Sequence, residues 1–185
     1  MLIVNDWWET KRKEVKKLVG EKFQHTTPMQ TTDIEKIVLN SGVSQAVNDK
    51  KTLESTEKAL MLIAYGQKPV ITYARKSITG FKLREGMPIG CKVTLRKKRA
   101  WSFLFGLIKL EAPEITNFQG FSEEKFDQDG NYNLGINDLN IFFRVPYNLT
   151  FKNQGVQITV VFKSNSREEN NYFLHLLGFP FKKKR

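Results

Sequence analysis

Cysteine occurs once and histidine twice in 185 residues. Cys91 alone cannot form an intrachain disulfide or a cysteine-based zinc site. His25 and His175 lie far apart and neither adjoins a pair of carboxylates, so there is little from which to build a metal centre. A solvated or hydrogen-bonded imidazole is the expectation for both. Long apolar runs are missing too. The longest, "WSFLFGLIKL" from Trp101 to Leu110, is too short to span a bilayer and is broken by Lys109. The opening "MLIVNDWWETKRKEVKK" turns to charged residues after four apolar ones and does not read as a secretory signal. The expectation is a soluble protein of a reducing compartment, with no metal, no cofactor and no membrane.

Acidic residues are scarce where basic ones crowd. From Lys68 to Arg99 the chain carries Lys68, Arg75, Lys76, Lys82, Arg84, Lys92, Arg96, Lys97, Lys98 and Arg99 against Glu85 alone. Like charges repel unless a polyanion neutralises them. With a formal net charge of +11, a nucleic acid is the expected partner. From Glu111 to Asp138 the balance inverts, with Glu123, Glu124, Asp127 and Asp129 near its centre. No His or metal partner stands beside these carboxylates to support acid–base chemistry. They read as a solvated loop or as a docking surface for a basic protein. "GMPIG", Gly86 to Gly90, lacks the spacing and the Lys-Ser/Thr ending of a phosphate loop, and reads as a turn around Pro88.

An apolar fraction of 40% with clear periodicity suffices for a core, and the length suits one domain spanning 1–185. Asp6 and Glu9 fit a capping box opening a helix over 6–23, with Trp8, Val15, Leu18, Val19 and Phe23 on one face. An α+β core over 32–112 follows: a strand from Ile34 to Val43, a helix capped by Asp49 and closed by Gly66, and strands at Val70–Arg75 and Gly90–Lys97 flanking a long basic loop. Cys91, Val93 and Leu95 alternate with Lys92, Thr94 and Arg96. A third helix, Lys98 to Leu110, buries Trp101, Leu104, Phe105 and Ile108. Residues 113–155 read as loop-rich, with a strand at Asn140–Val145. A strand over Val156–Lys163 and a helix opened by a Ser166/Glu169 capping box make up 156–179, and 180–185 form a basic tail. The fold class is α+β: a two-layer sandwich, mainly antiparallel, with helices packed on one face and the other face free. Such a free, basic face suits nucleic acid. At the basic loop, Gly80 permits close backbone approach, and Phe81 is either core or a stacking residue at the tip.

The stretch "NDKKTLESTEKALMLIAYGQKPVITYARKSITGFKLREGMPIGCKVTLRKKRAWSFLFGLI" resembles the middle of the L-five family of large-ribosomal-subunit proteins, the universal 5S rRNA binders. "GQKP", "NFQGFS", "GNYNLGI" and the terminal "GFPF" resemble further signatures of that family, in order. The likeness covers essentially the whole chain and is weakest before Thr32 and between Asn137 and Gly155. It implies a structural protein, not an enzyme, in the central protuberance, touching 5S rRNA and large-subunit rRNA. On that resemblance Asn40, Gln67, Lys68, Lys92, Thr94 and Arg96 match the 5S rRNA surface. The loop of Arg75, Lys76, Ser77, Thr79, Gly80, Phe81 and Lys82 matches the part that approaches the P-site tRNA. The loop-rich side, with Glu123, Glu124, Asp127 and Asp129, matches the bridge to small-subunit protein thirteen.

The chain departs from the family pattern at Gln119 and Asp129, where Arg is usual, and at "INDLN" and "FFRVPYN". This drift, with abundant Asn, Lys, Ile and Phe, suggests an organelle, a plastid before a mitochondrion, with a bacterial cytoplasm as the other option. The alternative function is a free-standing RNA-binding regulator using the same basic face.

Overall fold

The structure, a computed structural model, describes residues 3–44, 50–116, 118–147, 149, 154–164 and 166–182, without the side chains of 3–7. The elements are α1 (Ile3–Lys22), β1 (Ile34–Gly42), α2 (Lys50–Ile63), β2 (Val70–Tyr73), β3 (Pro88–Arg96), α3 (Lys97–Gly106), α4 (Ala112–Glu114), β4 (Tyr132–Ile136), β5 (Val156–Phe162) and α5 (Arg167–Leu176). The strands form one antiparallel sheet in the order β2-β3-β1-β5-β4, and the α+β two-layer expectation holds. Among the described residues no helix is long and apolar enough to cross a membrane.

Two compact units divide the chain. One comprises 1–37, 96–134 and 159–185; the other comprises 38–95 and 135–158. In the second unit α2 buries Leu53, Thr56, Ala59, Leu60 and Ile63 at helical spacing. Gly66 closes it, with φ at +80° and its N–H on the Met61 carbonyl at 2.9 Å. Leu39, Cys91, Val93 and Leu95 supply buried sheet residues. Burial holds the Cys91 thiol up at a pKa of about 11, with the Glu57 charge adding to the effect.

The first unit is built on aromatics and buried polar bonds. Trp8 and Trp101 stack at 5.8 Å, and Phe173 meets Trp101 edge-on at 6.2 Å. Asp33 is buried and receives the Arg12 guanidinium and, at 2.8 Å, the Lys16 amine. Burial pushes its carboxyl up, but the hydrogen bonds and charges of Arg12 and Lys16 outweigh that and hold it below the usual range. Ser166 caps α5 by accepting the Glu169 N–H at 3.4 Å. The Glu169 carboxylate does not complete the capping box. It accepts the Thr32 N–H at 2.7 Å and the Ser164 hydroxyl at 2.7 Å, with His25 at 3.2 Å.

Several local expectations change. Asp6 sits inside α1 rather than at its cap, because no Pro or Gly stops the helix from starting at Ile3. The cap expected at Asp49 lies outside the described residues, as do 183–185 of the basic tail. The strand expected at Asn140–Val145 is a 3-10 turn at Leu139–Ile141 followed by further turns. The Asp138 carboxylate accepts the Asn140 N–H at 2.9 Å and pulls the backbone out of extension. In the third helix Phe103 and Leu107 are buried along with Trp101 and Leu104, while Phe105 and Ile108 are half-exposed, and a π turn runs over Leu107–Glu111. Leu18 is also exposed. β3 starts at Pro88 rather than at Gly90, so Pro88 and Ile89 leave the expected turn; at Gly90, in the strand as expected, a Cβ would stand 2.5 Å from the Ser41 carbonyl oxygen.

Candidate nucleic-acid interface

Alternation on β3 is as the spacing required. Cys91, Val93 and Leu95 are buried, Lys92 and Arg96 exposed and Thr94 half-exposed. Val70 pairs with Lys92 and Thr72 with Gly90, which places Val70 and Thr72 on the side of Lys92. On β1, Asn40 is exposed between the buried Leu39 and Ser41. Thus Asn40, Lys92 and Thr94 all present their side chains to the outer face of the second unit.

Gln67 is half-buried and part of its amide is already committed. The β2 ladder opposite β3 begins at Val70, directly after Pro69, which has no N–H to donate. The Gln67 amide takes over and donates to the Thr94 carbonyl at 2.8 Å, supporting the strand as well as the surface. Lys68 beside it is exposed. Arg96 falls at the boundary, in the first unit. Its guanidinium reaches Glu35 at 3.4 Å, and Glu35 also meets Lys36 at 3.4 Å. Those two cations overcome a slight desolvation and lower the Glu35 pKa. A ligand phosphate at Arg96 competes with that carboxylate.

The basic loop is a hydrogen-bonded extension of the β2–β3 hairpin rather than an irregular one. At its base the Ala74 N–H donates to the Met87 carbonyl at 2.8 Å, and Gly86, with φ at +80°, donates to the Ala74 carbonyl at 3.0 Å. Further out Ile78 and Leu83 exchange two backbone bonds at 3.0 and 3.1 Å, and the Ser77 hydroxyl accepts the Glu85 N–H at 3.0 Å. Thr79–Phe81 form a 3-10 turn, closed by Lys82 in the left-handed region with φ at 54°. Every residue from Arg75 to Lys82 is exposed. Phe81 is 74% exposed, which removes the core reading and leaves the stacking one open. Nothing in the chain lies within 4 Å of a Cβ built at Gly80. Among the described residues Lys68, Arg75, Lys76, Lys82, Arg84 and Lys92 make no ion pair.

The acidic stretch belongs to the first unit and forms a tight hairpin, with Phe126 bridged to Tyr132. The Asp127 carboxylate accepts the Asn131 N–H at 2.7 Å and the Asn131 side-chain amide at 3.1 Å. Glu123 faces His175 at 3.1 Å, while Glu124 and Asp129 point to solvent. Beneath them the Tyr132 hydroxyl donates to the Ser122 carbonyl at 2.8 Å; burial and the Glu123 charge raise its pKa. Both histidines therefore have a carboxylate neighbour that sequence distance concealed. Among the described residues no three His, Cys, Asp or Glu side chains are grouped to hold a metal.

Comparison with known proteins covers both units. Residues 27–84 match the family described as Ribosomal protein L5, and 88–181 match the model of that ribosomal family's C-terminus. The chain is 48% identical over 163 residues to the large ribosomal subunit protein uL5 of Shewanella sp. (strain ANA-3), covering 88% of this chain and 90% of that one. It is 45% identical over 175 residues to uL5 of Syntrophomonas wolfei, covering 95% and 98% of the two chains. Against uL5 of Alkalilimnicola ehrlichii the identity is 44% over 170 residues, 92% of this chain and 94% of the other. These relatives are bacterial and lend the plastid preference no support.

Proposed function

The chain belongs to the ribosomal protein L5 family, and on that premise we propose that it is a structural component of the large ribosomal subunit whose basic sheet face binds 5S rRNA. It is not an enzyme. The observation that carries the RNA assignment is the set of exposed cations on and beside β3: among the described residues Lys68 and Lys92 have no carboxylate partner, and Arg96 shares Glu35 with Lys36. Lys92 and Arg96 meet phosphate, while Asn40, Thr94 and Gln67 offer hydrogen bonds to sugar or base edges. Lys68 adds charge at the margin.

The hairpin from Arg75 to Lys82 approaches the P-site tRNA. Its internal hydrogen bonds hold the cations of Arg75, Lys76 and Lys82 outward, and the exposed Phe81 ring can stack on a base or pack on a ribose. Glu124 and Asp129, with Glu123 and Asp127 beside them, offer negative charge to a basic small-subunit protein across the subunit interface. No observation favours the free-standing regulator.

Filter binding of 5S rRNA across a salt series tests the sheet assignment. Each phosphate neutralised releases counterions, so affinity should fall steeply with salt. The double variant Lys92→Ala/Arg96→Ala should bind about tenfold or more weakly at low salt and flatten the slope by about 1.5 to 2. A flat wild-type response, or wild-type affinity in the double variant, overturns it. Sedimentation with large subunits after a moderate salt wash separates a ribosomal component from a soluble regulator.

A further inference from the structure

The turns that follow β4 carry two side chains away from the core. Phe142 and Val145 are buried, and the Val145 N–H donates to the Phe142 carbonyl at 2.8 Å. Between these anchors Phe143 is 60% exposed and Arg144 half-exposed. The Arg144 guanidinium lies 3.7 Å from the centre of the Tyr65 ring and 5.0 Å from that of Phe143. At such distances the ring quadrupole attracts the cation and holds it in place. All three residues belong to the unit of 38–95 and 135–158. Phe143 and Arg144 fall in "FFRVPYN", a stretch where the chain departs from its family pattern.

Tyr65 holds its position against its own backbone preference. It follows α2 with φ at 56°, a region where a bulky side chain is an outlier and Gly or Asn is the ordinary choice. Outliers of this kind cluster where a side chain has to be set in one place, and this one sets a ring beneath Arg144. Stacking uses the flat of the guanidinium and leaves the N–H groups along its edge. Among the described residues that edge has no hydrogen-bond or ion-pair partner. The charge nearby in the chain is one-sided as well. Lys68, shortly after Tyr65, is exposed and makes no ion pair among the described residues, while the Asp138 carboxylate is committed to the Asn140 N–H at 2.9 Å. Between Tyr65 and Lys68, Gln67 donates to the Thr94 carbonyl at 2.8 Å, which ties the end of α2 to β3.

We propose that Tyr65, Phe143 and Arg144 form a site for one unpaired RNA nucleotide, the edge of Arg144 taking its phosphate and the open Phe143 ring its base. A rigid guanidinium fork suits phosphate oxygens, and a held fork loses less freedom on binding than a loose one. A carboxylate could use the same fork, but an acidic side chain has no ring to lay on Phe143, whereas every base has one. The proposal rests on the RNA reading of the β3 face for the nature of the partner and adds a second point of contact to it.

Isotope-labelled full-length protein titrated with a short oligouridylate at low salt is the test, with an abasic strand of equal length and an oligoglutamate peptide as controls. The Phe143 ring and the Arg144 Nε–H should shift saturably with oligouridylate, about tenfold more weakly with the abasic strand, and not with the peptide. Arg144→Lys keeps the charge but loses the planar fork, and should weaken binding read at Phe143 about tenfold. Phe143→Ala should weaken binding read at Arg144 about fivefold or more. Phe143 is exposed and its replacement leaves the fold intact, so the measurement stands even if the arginine variant loosens the turn. Lys92 and Thr94 amides report the β3 face in the same titration. If they move and the stack does not, the proposal falls and the sheet reading stands; if neither moves, both fall. An equal response to the abasic strand or to the peptide, or unchanged affinity in both variants, also overturns the proposal.

Discussion

The two units handle charge in opposite ways. In the unit of 38–95 and 135–158 the cations of the hairpin and of β3 stand exposed, with no carboxylate facing them among the described residues. In the other unit two buried carboxylates are matched internally, Asp33 by Arg12 and Lys16, and Glu169 by Thr32, Ser164 and His25. Charge left unneutralised on a surface contributes little to folding and is available to a partner. Charge matched in the interior is part of the fold, and removing one side of the match leaves the other stranded. A basic composition alone therefore does not locate an interface; the missing internal partner does.

The sharpest way to break this contrast is Glu169→Ala. It strands the buried Thr32 N–H and the Ser164 hydroxyl together, and should cost about 3 kcal/mol, a fall in Tm of roughly 6–12 °C. Lys92→Ala on the exposed face should stay within about 0.5 kcal/mol of wild type. Thermal unfolding followed by circular dichroism measures both, and equal losses would dissolve the distinction.

Next in size is Asp33→Asn, which should cost about 2 kcal/mol at neutral pH. The sign of its pH dependence follows from the depressed carboxyl. The contribution is present above the unfolded carboxylate pKa of about 3.9 and is lost as pH falls through the lower folded value. The gap between wild type and variant should narrow as pH falls below the unfolded value and close only below the lowered folded one. A gap that stays constant down to about pH 2 would mean that the ion pairs with Arg12 and Lys16 do not supply the difference.

The open unit was the more legible one. Period-2 alternation on β3, the turn chemistry of Gly66 and the one-sided charge between Lys68 and Arg99 are local signals, and the structure keeps them. What stayed hidden was non-local. Nothing near Glu169 announces Thr32, 137 residues away, and Glu123 gives no sign of His175, 52 residues on. β4 was hidden inside a run of Asn, Asp and Gly, because only the tertiary position of Tyr132 and Leu134 makes "YNLGI" a strand. For the candidate interface, composition suggested RNA and the family resemblance named residues. The committed amide of Gln67, the Glu35 partner of Arg96 and the exposure of Phe81 came only from the fold.

A smaller effect separates the two parts of the open unit. Deleting Ser77 to Gly80 removes the Ile78–Leu83 bridge but leaves the hairpin base at Ala74, Gly86 and Met87. Affinity for 5S rRNA should stay within about threefold, roughly 0.6 kcal/mol, while retention of P-site tRNA on reconstituted ribosomes falls. Loss of 5S rRNA binding would assign the hairpin to the sheet surface instead.

The least effect is expected where the closed unit shows acid to solvent. Replacing Glu123, Glu124, Asp127 and Asp129 by their amides removes negative charge that rRNA phosphate repels. Binding to 5S rRNA should therefore be equal or up to about twofold tighter. The four positions are not equivalent. Glu124 and Asp129 only face water, whereas Asp127 uses both carboxylate oxygens on Asn131, and an amide there gives up one acceptor. Folding should thus lose about 0.5–1 kcal/mol in the fourfold variant and almost nothing in Glu124→Gln/Asp129→Asn. If these carboxylates dock a basic small-subunit protein, that double variant already weakens subunit association, most at low salt where screening is least. Light scattering of subunit joining across salt concentrations reads this directly. Unchanged joining would leave Glu124 and Asp129 as solvated positions on that hairpin, and a large fall in 5S rRNA affinity would move the acidic hairpin into the RNA interface.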